Sequence, residues 1–594
     1  MSKDIIAWDL SELYKGVEDP KIKDDMKIIS QLAKDFRSEV RGTLNKNDLS
    51  ASQLAEYFTL YEEISEATFY LSLFSGLMYS TNSLEDNVKN LHSKIQEFSS
   101  KIEEQLIFFE IELNEIQDKK FDELLNSEEL QNYRHELEFT RRKKNHQLSE
   151  KEEQIILMKD ITGQEGFVKL YEETSSNFTY EFEYDGETKT YTTSELFSYM
   201  YNLNKEVRRR ALNEIVSKNA ENELTFVHVY NNVLKDWQLE NERRKYKEPI
   251  SRRNLSNEVS DKSVETLGKV TSDSNPIVER YYNLKKKMIK LDKLRMSDIY
   301  VPVGEVEKKY TYEEAIEMIQ KADKEFDESF ASIVSQMYKL KHIDVTPRKG
   351  KQGGAFCSYG KQKKYPYVFV NFTGTISAVL TLAHELGHAI HHYNIQQNQT
   401  MVNIGSSLPV AEIASVFNEM ITFDYLMKQD LSKEEKKILL ANHIESNFAT
   451  SHRQNAFYHF EKRLHNLMKE KLPTAQDYKD IFVEEMEKMF GNSVTNIKED
   501  YANYWSVISH FIHVPFYVYA YNMSNLLVIA LYQMYLDQQE KFVPKFINLL
   551  SVGTSRTPAE MLAEMEIDLD DPSFWQKGID YLSARIDELE ELMK

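Results

Sequence analysis

Along most of the chain, apolar residues recur among polar ones with the spacing of an amphipathic helix. Between 50 and 115 the apolar positions include Leu54, Tyr57, Phe58, Tyr61 and Ile64, then Leu71, Leu73, Phe74 and Leu77, set among many charges. The same spacing fills 128–173, 195–245, 260–292, 312–341, 431–470, 475–490 and 523–550, and predicts helices there. Only 12 Pro and 18 Gly punctuate 594 residues, which favours long helices. Two segments depart from the pattern. Residues 178–193 alternate apolar and polar about Asp185-Gly186, which predicts a hairpin with a type I′ turn. Residues 345–372 hold a Gly-rich stretch at 349–357 and then a strand at 365–372, Tyr-Pro-Tyr-Val-Phe-Val-Asn-Phe. That strand runs straight into a helix. Such an order suits an extended peptide adding to a sheet edge beside the helix, or equally a small structural sheet. The Gly-rich stretch lacks the pattern of a phosphate loop and reads as a mobile turn or a substrate-contacting loop.

The helix after the strand carries the chemistry. Residues 384–388 read His-Glu-Leu-Gly-His, flanked by Val379, Leu380, Leu382, Ala383, Ala389 and Ile390. Chance placement of 15 His in 594 residues gives this pattern well under once per chain. His384 and His388 share one helical face and can hold one metal ion, while Glu385 can take a proton from a metal-bound water. The plainer alternative is a pair of core histidines bonded to backbone. A catalytic zinc usually takes three protein ligands. His391 is on the same face, yet seven residues of helix rise about 10 Å, whereas ligand atoms all sit about 2 Å from the ion. One straight helix therefore cannot supply three ligands, and His391 and His392 read as supporting or core residues. The third ligand is sought in 407–420, where Ser407 can cap a helix with Pro409 in its first turn. Glu412 and Glu419 stand on one face of that otherwise apolar helix. Buried carboxylates need a cation or a hydrogen-bond partner, so Glu412 can bind the metal and Glu419 can orient a ligand histidine from behind. If the helix were exposed, both would face solvent.

Composition narrows the partners. A net charge of −22 argues against nucleic acid and against anionic membranes. Cys357 is the one cysteine, so no intrachain disulfide forms, as suits a reducing cytosol. The N-terminus lacks the pattern of a signal peptide, and no apolar run reaches the ~18 residues of a membrane span. A cytoplasmic protein is expected. The length exceeds one compact core, so several domains are expected.

These motifs together resemble a known family. His-Glu-Leu-Gly-His-Ala-Ile-His-His at 384–392, Ala-Glu-Ile-Ala-Ser-Val-Phe-Asn-Glu at 411–419, Gly-Gly-Ala-Phe-Cys at 353–357, the 365–375 segment, the early 8–14 segment and His-Phe-Ile-His-Val-Pro-Phe-Tyr-Val-Tyr-Ala-Tyr at 510–521 are similar to the thimet oligopeptidase and neurolysin family of zinc peptidases, in its bacterial oligoendopeptidase F branch. The resemblance implies one Zn2+ per chain held by His384, His388 and Glu412, with Glu385 as general base. It also implies that a downstream His and Tyr segment binds substrate and stabilises the transition state. Here His510 and Tyr519 are the expected catalytic members, and Gly353, Gly354, His513, Tyr517 and Tyr521 the expected substrate contacts. Pro515 and Asn522 depart from the thimet-type pattern, and aromatics so spaced also suit a core. The implied fold is a mainly helical ellipsoid of two halves flanking a deep channel, with a small sheet next to the zinc-site helix. The expected divisions are an N-terminal helical region at 1–110, an oligoendopeptidase F-type domain at 111–195 and a catalytic domain at 196–594. The expected function is zinc-dependent endopeptidase action on short unstructured peptides, excluding folded proteins. A zinc carboxypeptidase or dipeptidyl carboxypeptidase on the same scaffold would need a basic residue for the substrate carboxylate, and none is assignable. A peptide-binding protein with a structural metal would not need Glu385.

Overall fold

The computed structural model describes residues 5–46, 48–360 and 363–594, so residues 1–4 of the N-terminal segment lie outside it. Strands β1 (Thr179–Tyr184) and β2 (Glu187–Thr192) form the expected antiparallel hairpin. Its two turn residues, Asp185 and Gly186, have φ of 55° and 78°. Two positive φ values are what a type I′ turn requires, and Asp-Gly supplies them at low cost. Most of the rest is helical, and the long amphipathic stretches break into shorter pieces. Residues 50–115 form the helices Ala51–Thr81, Asp86–Leu106 and Phe108–Glu115. The first break falls at Asn82-Ser83, residues that favour turns over helix interiors. No helix of the described residues is long and apolar enough to cross a membrane.

The chain divides into two compact units, each assembled from three stretches. One comprises Met1–Lys144, Glu307–Gln429 and Met534–Ile567; the other comprises Asn145–Val306, Asp430–Gln533 and Asp568–Lys594.

The first unit contains a three-stranded sheet of β3 (Ile343–Asp344), β4 (Phe356–Ser358) and β5 (Tyr367–Phe369), in the order β3-β5-β4. The strand expected over 365–372 is regular only at Tyr367–Phe369, although Val370 and Phe372 N–H still donate to the Asp344 and Val345 carbonyls at 2.9 and 3.1 Å. Because β5 is parallel to β3 on one side and antiparallel to β4 on the other, its edges are occupied. The edge strands are β3 and β4, and the segment after β3 is flanked by Ile6, whose carbonyl accepts from Val345 and Thr346 N–H, so an added strand cannot pair with β5 itself. The early 8–14 segment packs here: the Trp8 ring lies 6.2 Å from Tyr367 and 5.9 Å from Phe369. Beneath the Gly-rich stretch, the buried Lys351 ammonium meets Asp344 at 2.7 Å and donates to the Val370 carbonyl at 2.6 Å. Arg348 grips the same Asp344 through two bonds of 2.7 and 2.8 Å.

After the sheet come α1 (Ile376–Asn398), α2 (Leu408–Ala411) and α3 (Ile413–Lys428). Thr375 starts α1 by accepting from Ala378 N at 3.1 Å. Leu382, Ala383, Leu386, Ala389 and Ile390 of α1 have no exposed surface, as expected of a helix wrapped by neighbours. It packs against α3, β4 and β5.

The second unit holds α4 (His452–Glu470), α5 (His510–His513) and the start of α6 (Tyr519–Gln538). Its interior includes a buried pair in which Arg208 bonds Asp298 at 2.6 Å and the Asn202 and Leu203 carbonyls at 2.8 and 2.9 Å. These bonds offset part of the desolvation of both charges, while Arg208 Nε has no hydrogen-bond partner among the described residues.

Candidate active site

His384 and His388 project from one face of α1, one helical turn apart. Glu412 is not inside a continuous helix. It forms the junction between α2 and α3, with φ −90° and ψ 2°. The expected Ser407 cap is corrected: its hydroxyl makes no capping bond and is buried without a hydrogen-bond partner among the described residues. Pro409, at the start of α2, sets that turn by its fixed φ.

The junction brings one Glu412 oxygen, Oε2, to 3.3 Å from His384 Nε2 and 3.3 Å from His388 Nε2. These three ligand atoms all lie within 4.8 Å of one another. Tetrahedral ligands about 2.0–2.1 Å from one ion stand about 3.3 Å apart, so the spacing fits a single tetrahedral cation. Two imidazoles and one carboxylate also match the donors that zinc favours. On the other side of the His384 ring, Nδ1 lies 3.4 Å from Glu419 Oε2. That arrangement fixes which nitrogen faces the Glu412 side. Ser415 Oγ donates to Glu412 Oε2 at 2.7 Å and steadies the carboxylate.

The electrostatics of the cluster favour a positive charge. Burial disfavours charge on His384, but the Glu412 and Glu419 carboxylates outweigh it and push the imidazole up to about 10. Burial likewise opposes ionisation of Glu412, yet His384 and His388 hold its carboxyl far below the usual range. Glu385 is 7 % exposed. Burial raises its carboxyl and the two imidazoles only partly offset this. His391 is buried, bonded to the Ala411 carbonyl and pushed down to about 4, first by burial and then by His388. His392 stacks on Tyr359 with ring centres 3.7 Å apart. Both are supporting residues by position.

Three contributors escaped the sequence reading. Gly387 sits where α1 and α3 cross, and a β-carbon there would lie 2.5 Å from the Ala414 carbonyl oxygen. Asn418 Nδ2 of α3 donates to the Ala383 carbonyl of α1 at 2.9 Å, locking the crossing. The third is Ser415. A glycine inside a helical pattern was the available signal for the first; the other two gave none.

Comparison with known proteins decides the family. The model of "Peptidase family M3" matches residues 198–581, and that of "Oligopeptidase F" matches residues 112–180. The chain belongs to peptidase family M3. It is a metalloendopeptidase, and its substrates are peptides. It is 26 % identical to Oligopeptidase PepF of Bacillus subtilis over 99 % of this chain and 87 % of that protein. It is 25 % identical to an oligoendopeptidase F homologue of Borreliella burgdorferi, covering 99 % of this chain and 98 % of the other. These names are those of the branch that the motifs resemble. The fold matches a crystal structure of oligoendopeptidase-F from Enterococcus faecium with a TM-score of 0.71 at 21 % identity, over 96 % of this chain and 99 % of that one. A peptidase candidate from Chlamydophila abortus gives a TM-score of 0.88 at 22 % identity, over 99 % and 98 %.

The remaining residues expected at an M3 site fall in two places. In the first unit, Gly353 and Gly354 are exposed next to β4. Their loop is stapled, because Asn371 Nδ2 donates to the Gln352 and Gly354 carbonyls at 2.9 and 3.0 Å. In the second unit, His510 Nε2 lies 3.2 Å from the Tyr521 hydroxyl. The Tyr517 ring stacks on His510 at 5.9 Å and meets Tyr521 edge-on at 5.3 Å. His513 points elsewhere, its Nε2 3.3 Å from Glu172. Tyr519 is 1 % exposed, and its hydroxyl accepts from Asn257 Nδ2 at 2.7 Å. The expectation that Tyr519 acts with His510 is therefore revised, since this hydroxyl is enclosed and engaged while Tyr517 and Tyr521 are half-buried beside His510.

Proposed function

We propose that the chain is a zinc-dependent endopeptidase that hydrolyses short, unstructured oligopeptides and spares folded proteins. The observation that carries the reading is the convergence of His384 Nε2 and His388 Nε2 on one Glu412 oxygen at 3.3 Å each, with Glu385 buried beside them. His384, His388 and Glu412 hold the ion, and Glu419 orients His384. Zinc, when bound, supplies Lewis acidity that polarises the scissile carbonyl and acidifies water. Glu385 takes a proton from water as its oxygen bonds to the carbonyl carbon. It delivers that proton to the leaving nitrogen as the C–N bond breaks. No side chain becomes covalently attached to substrate. On the family resemblance, His510 donates to the developing oxyanion, a contribution worth about 3–4 kcal/mol in well-placed sites, and the half-buried Tyr521 beside it takes the part that the resemblance gives to Tyr519. Tyr517 and the exposed Gly353 and Gly354 before β4 then contact the peptide. The preference for short peptides follows the names of the relatives, which are oligopeptidases. One cysteine in the chain suits a reducing compartment such as the cytosol.

The test is metal analysis of the purified chain together with cleavage mapping of peptides blocked at both ends, with and without chelator. Internal cleavage that chelation abolishes and zinc restores is expected. Cleavage confined to free C-termini would convert the reading to a carboxypeptidase, and metal content without turnover would sink the enzymatic reading.

A further inference from the structure

Phe516 stands where the chain reverses between α5 and α6, with φ +57°. Bulky residues seldom adopt the left-handed region unless their surroundings hold them there. Here the hold is specific. The Phe516 N–H donates to Glu461 Oε1 of α4 at 2.9 Å. Glu461 has no exposed surface, and its Oε2 has no hydrogen-bond partner among the described residues. From the helix Ser251–Asn257, Arg253 Nε donates to the Pro515 carbonyl at 3.2 Å. The Phe516 ring packs on His465 of α4 with centres 4.4 Å apart. The turn is thus clamped from behind, while its next residue, Tyr517, faces out beside His510 and Tyr521.

A carboxyl buried this deeply is costly unless it is used. Apolar packing would fill the same space without that cost, and the hydrogen bond Glu461 makes goes to a strained backbone N–H. We propose that Glu461, assisted by Arg253, is a positioning residue: it holds the Pro515-Phe516 turn so that Tyr517, Tyr521 and His510 keep the mutual geometry that transition-state stabilisation needs. The inference rests on the reading of 510–521 as the substrate-binding segment. Burial pushes the Glu461 carboxyl up to about 8, against the pull of the Phe516 N–H and of Arg253. Oε1 accepts the bond in either protonation state, so a glutamine, with the same shape and an amide oxygen, retains the acceptor.

The experiment compares Glu461→Ala, Glu461→Gln, His510→Ala and Tyr521→Phe in the full-length zinc enzyme on one end-blocked peptide, with metal content and unfolding midpoint measured for each. Glu461→Ala is expected to lower kcat by about 10- to 100-fold, as small misplacements of catalytic groups do, with KM changed by less than about threefold. Glu461→Gln is expected to recover kcat to within about threefold of the parent enzyme. Parental kcat in Glu461→Ala, or a kcat in Glu461→Gln as low as in Glu461→Ala, overturns the proposal. If His510→Ala and Tyr521→Phe keep full turnover, the reading of the segment fails, and this inference with it. If they lose turnover and Glu461→Ala does not, this inference alone fails. Should Glu461→Ala not fold, Glu461→Asp takes its place, since it keeps the carboxylate but withdraws it by one methylene. Lowered kcat then supports the proposal and parental kcat overturns it.

Discussion

Gly387 of α1 faces the backbone of α3 so closely that a β-carbon on it would stand 2.5 Å from the Ala414 carbonyl oxygen and 2.6 Å from Ser415 Cα. Both obstacles are backbone, which cannot swing aside as a side chain can. The contact sits between His388, next in sequence, and Ser415, which bonds the Glu412 carboxylate. Gly387→Ala should therefore part the two ligand helices, at an overpacking cost of about 1–3 kcal/mol. Metal content and turnover should fall together, read by elemental analysis and peptide hydrolysis. A variant that binds metal and turns over as the parent does would show that the crossing tolerates the added methyl.

Removing the proton carrier should separate binding from chemistry. Glu385→Gln should retain metal while losing about 10²- to 10⁴-fold in kcat, the usual share of a general base. Turnover at the parental rate would exclude Glu385 from proton transfer.

The ligand and its support should differ in degree. His384→Ala should lose the metal outright. Glu419→Gln should weaken metal affinity by about 10- to 100-fold, the effect expected of a residue that orients a ligand imidazole. Competition with a chromogenic chelator measures both, and unchanged affinity in Glu419→Gln would leave Glu419 without a part in the site.

Two tyrosines two residues apart should respond differently. Tyr519→Phe leaves the buried Asn257 amide without its acceptor, which costs about 1–3 kcal/mol of stability. Tyr521→Phe should lower kcat with little change in the unfolding midpoint. Thermal unfolding and steady-state kinetics on both variants decide the assignment, and a large kcat loss confined to Tyr519→Phe would restore Tyr519 to the chemistry.

Acid should loosen the second unit through histidines that the fold keeps neutral. Burial pushes His452 and His465 down to about 3, whereas an unfolded imidazole titrates near ~6.5. Below that value the unfolded chain binds protons that the folded one refuses. The stability concerned is complete above about pH 6.5 and is lost as pH falls toward about 3. Calorimetry between about pH 7 and 5 should show a falling midpoint, and His452→Gln should flatten the slope. An identical slope in that variant would remove His452 from the account.

Much of this was legible before any coordinates. The His384–Glu385–His388 face follows from helical periodicity, and Glu412 from its place on an otherwise apolar helix, although its side chain is 40 % exposed rather than buried. The Asp185-Gly186 hairpin follows from turn chemistry alone. Other features were invisible because they depend on contacts across the sequence. No local pattern shows that β5 is flanked on both sides. Nor does any show that Glu412 breaks its helix, which lets one oxygen face two histidines. The spacing of 510–521 could not separate Tyr519 from Tyr521, because Asn257, which claims the Tyr519 hydroxyl, lies more than two hundred positions away.

The unit that carries the ligands closes only with its last stretch. Phe417 of α3 packs on Phe546 with ring centres 4.3 Å apart and on Phe542 at 5.9 Å, and both partners come from Met534–Ile567. During synthesis the His384–His388 helix leaves the ribosome well before the wall that steadies its partner helix. An interrupted chain carries every ligand and none of that backing. A chain cut short before residue 534 would hold the ligand residues beside a Phe417 that has lost the Phe542 and Phe546 rings.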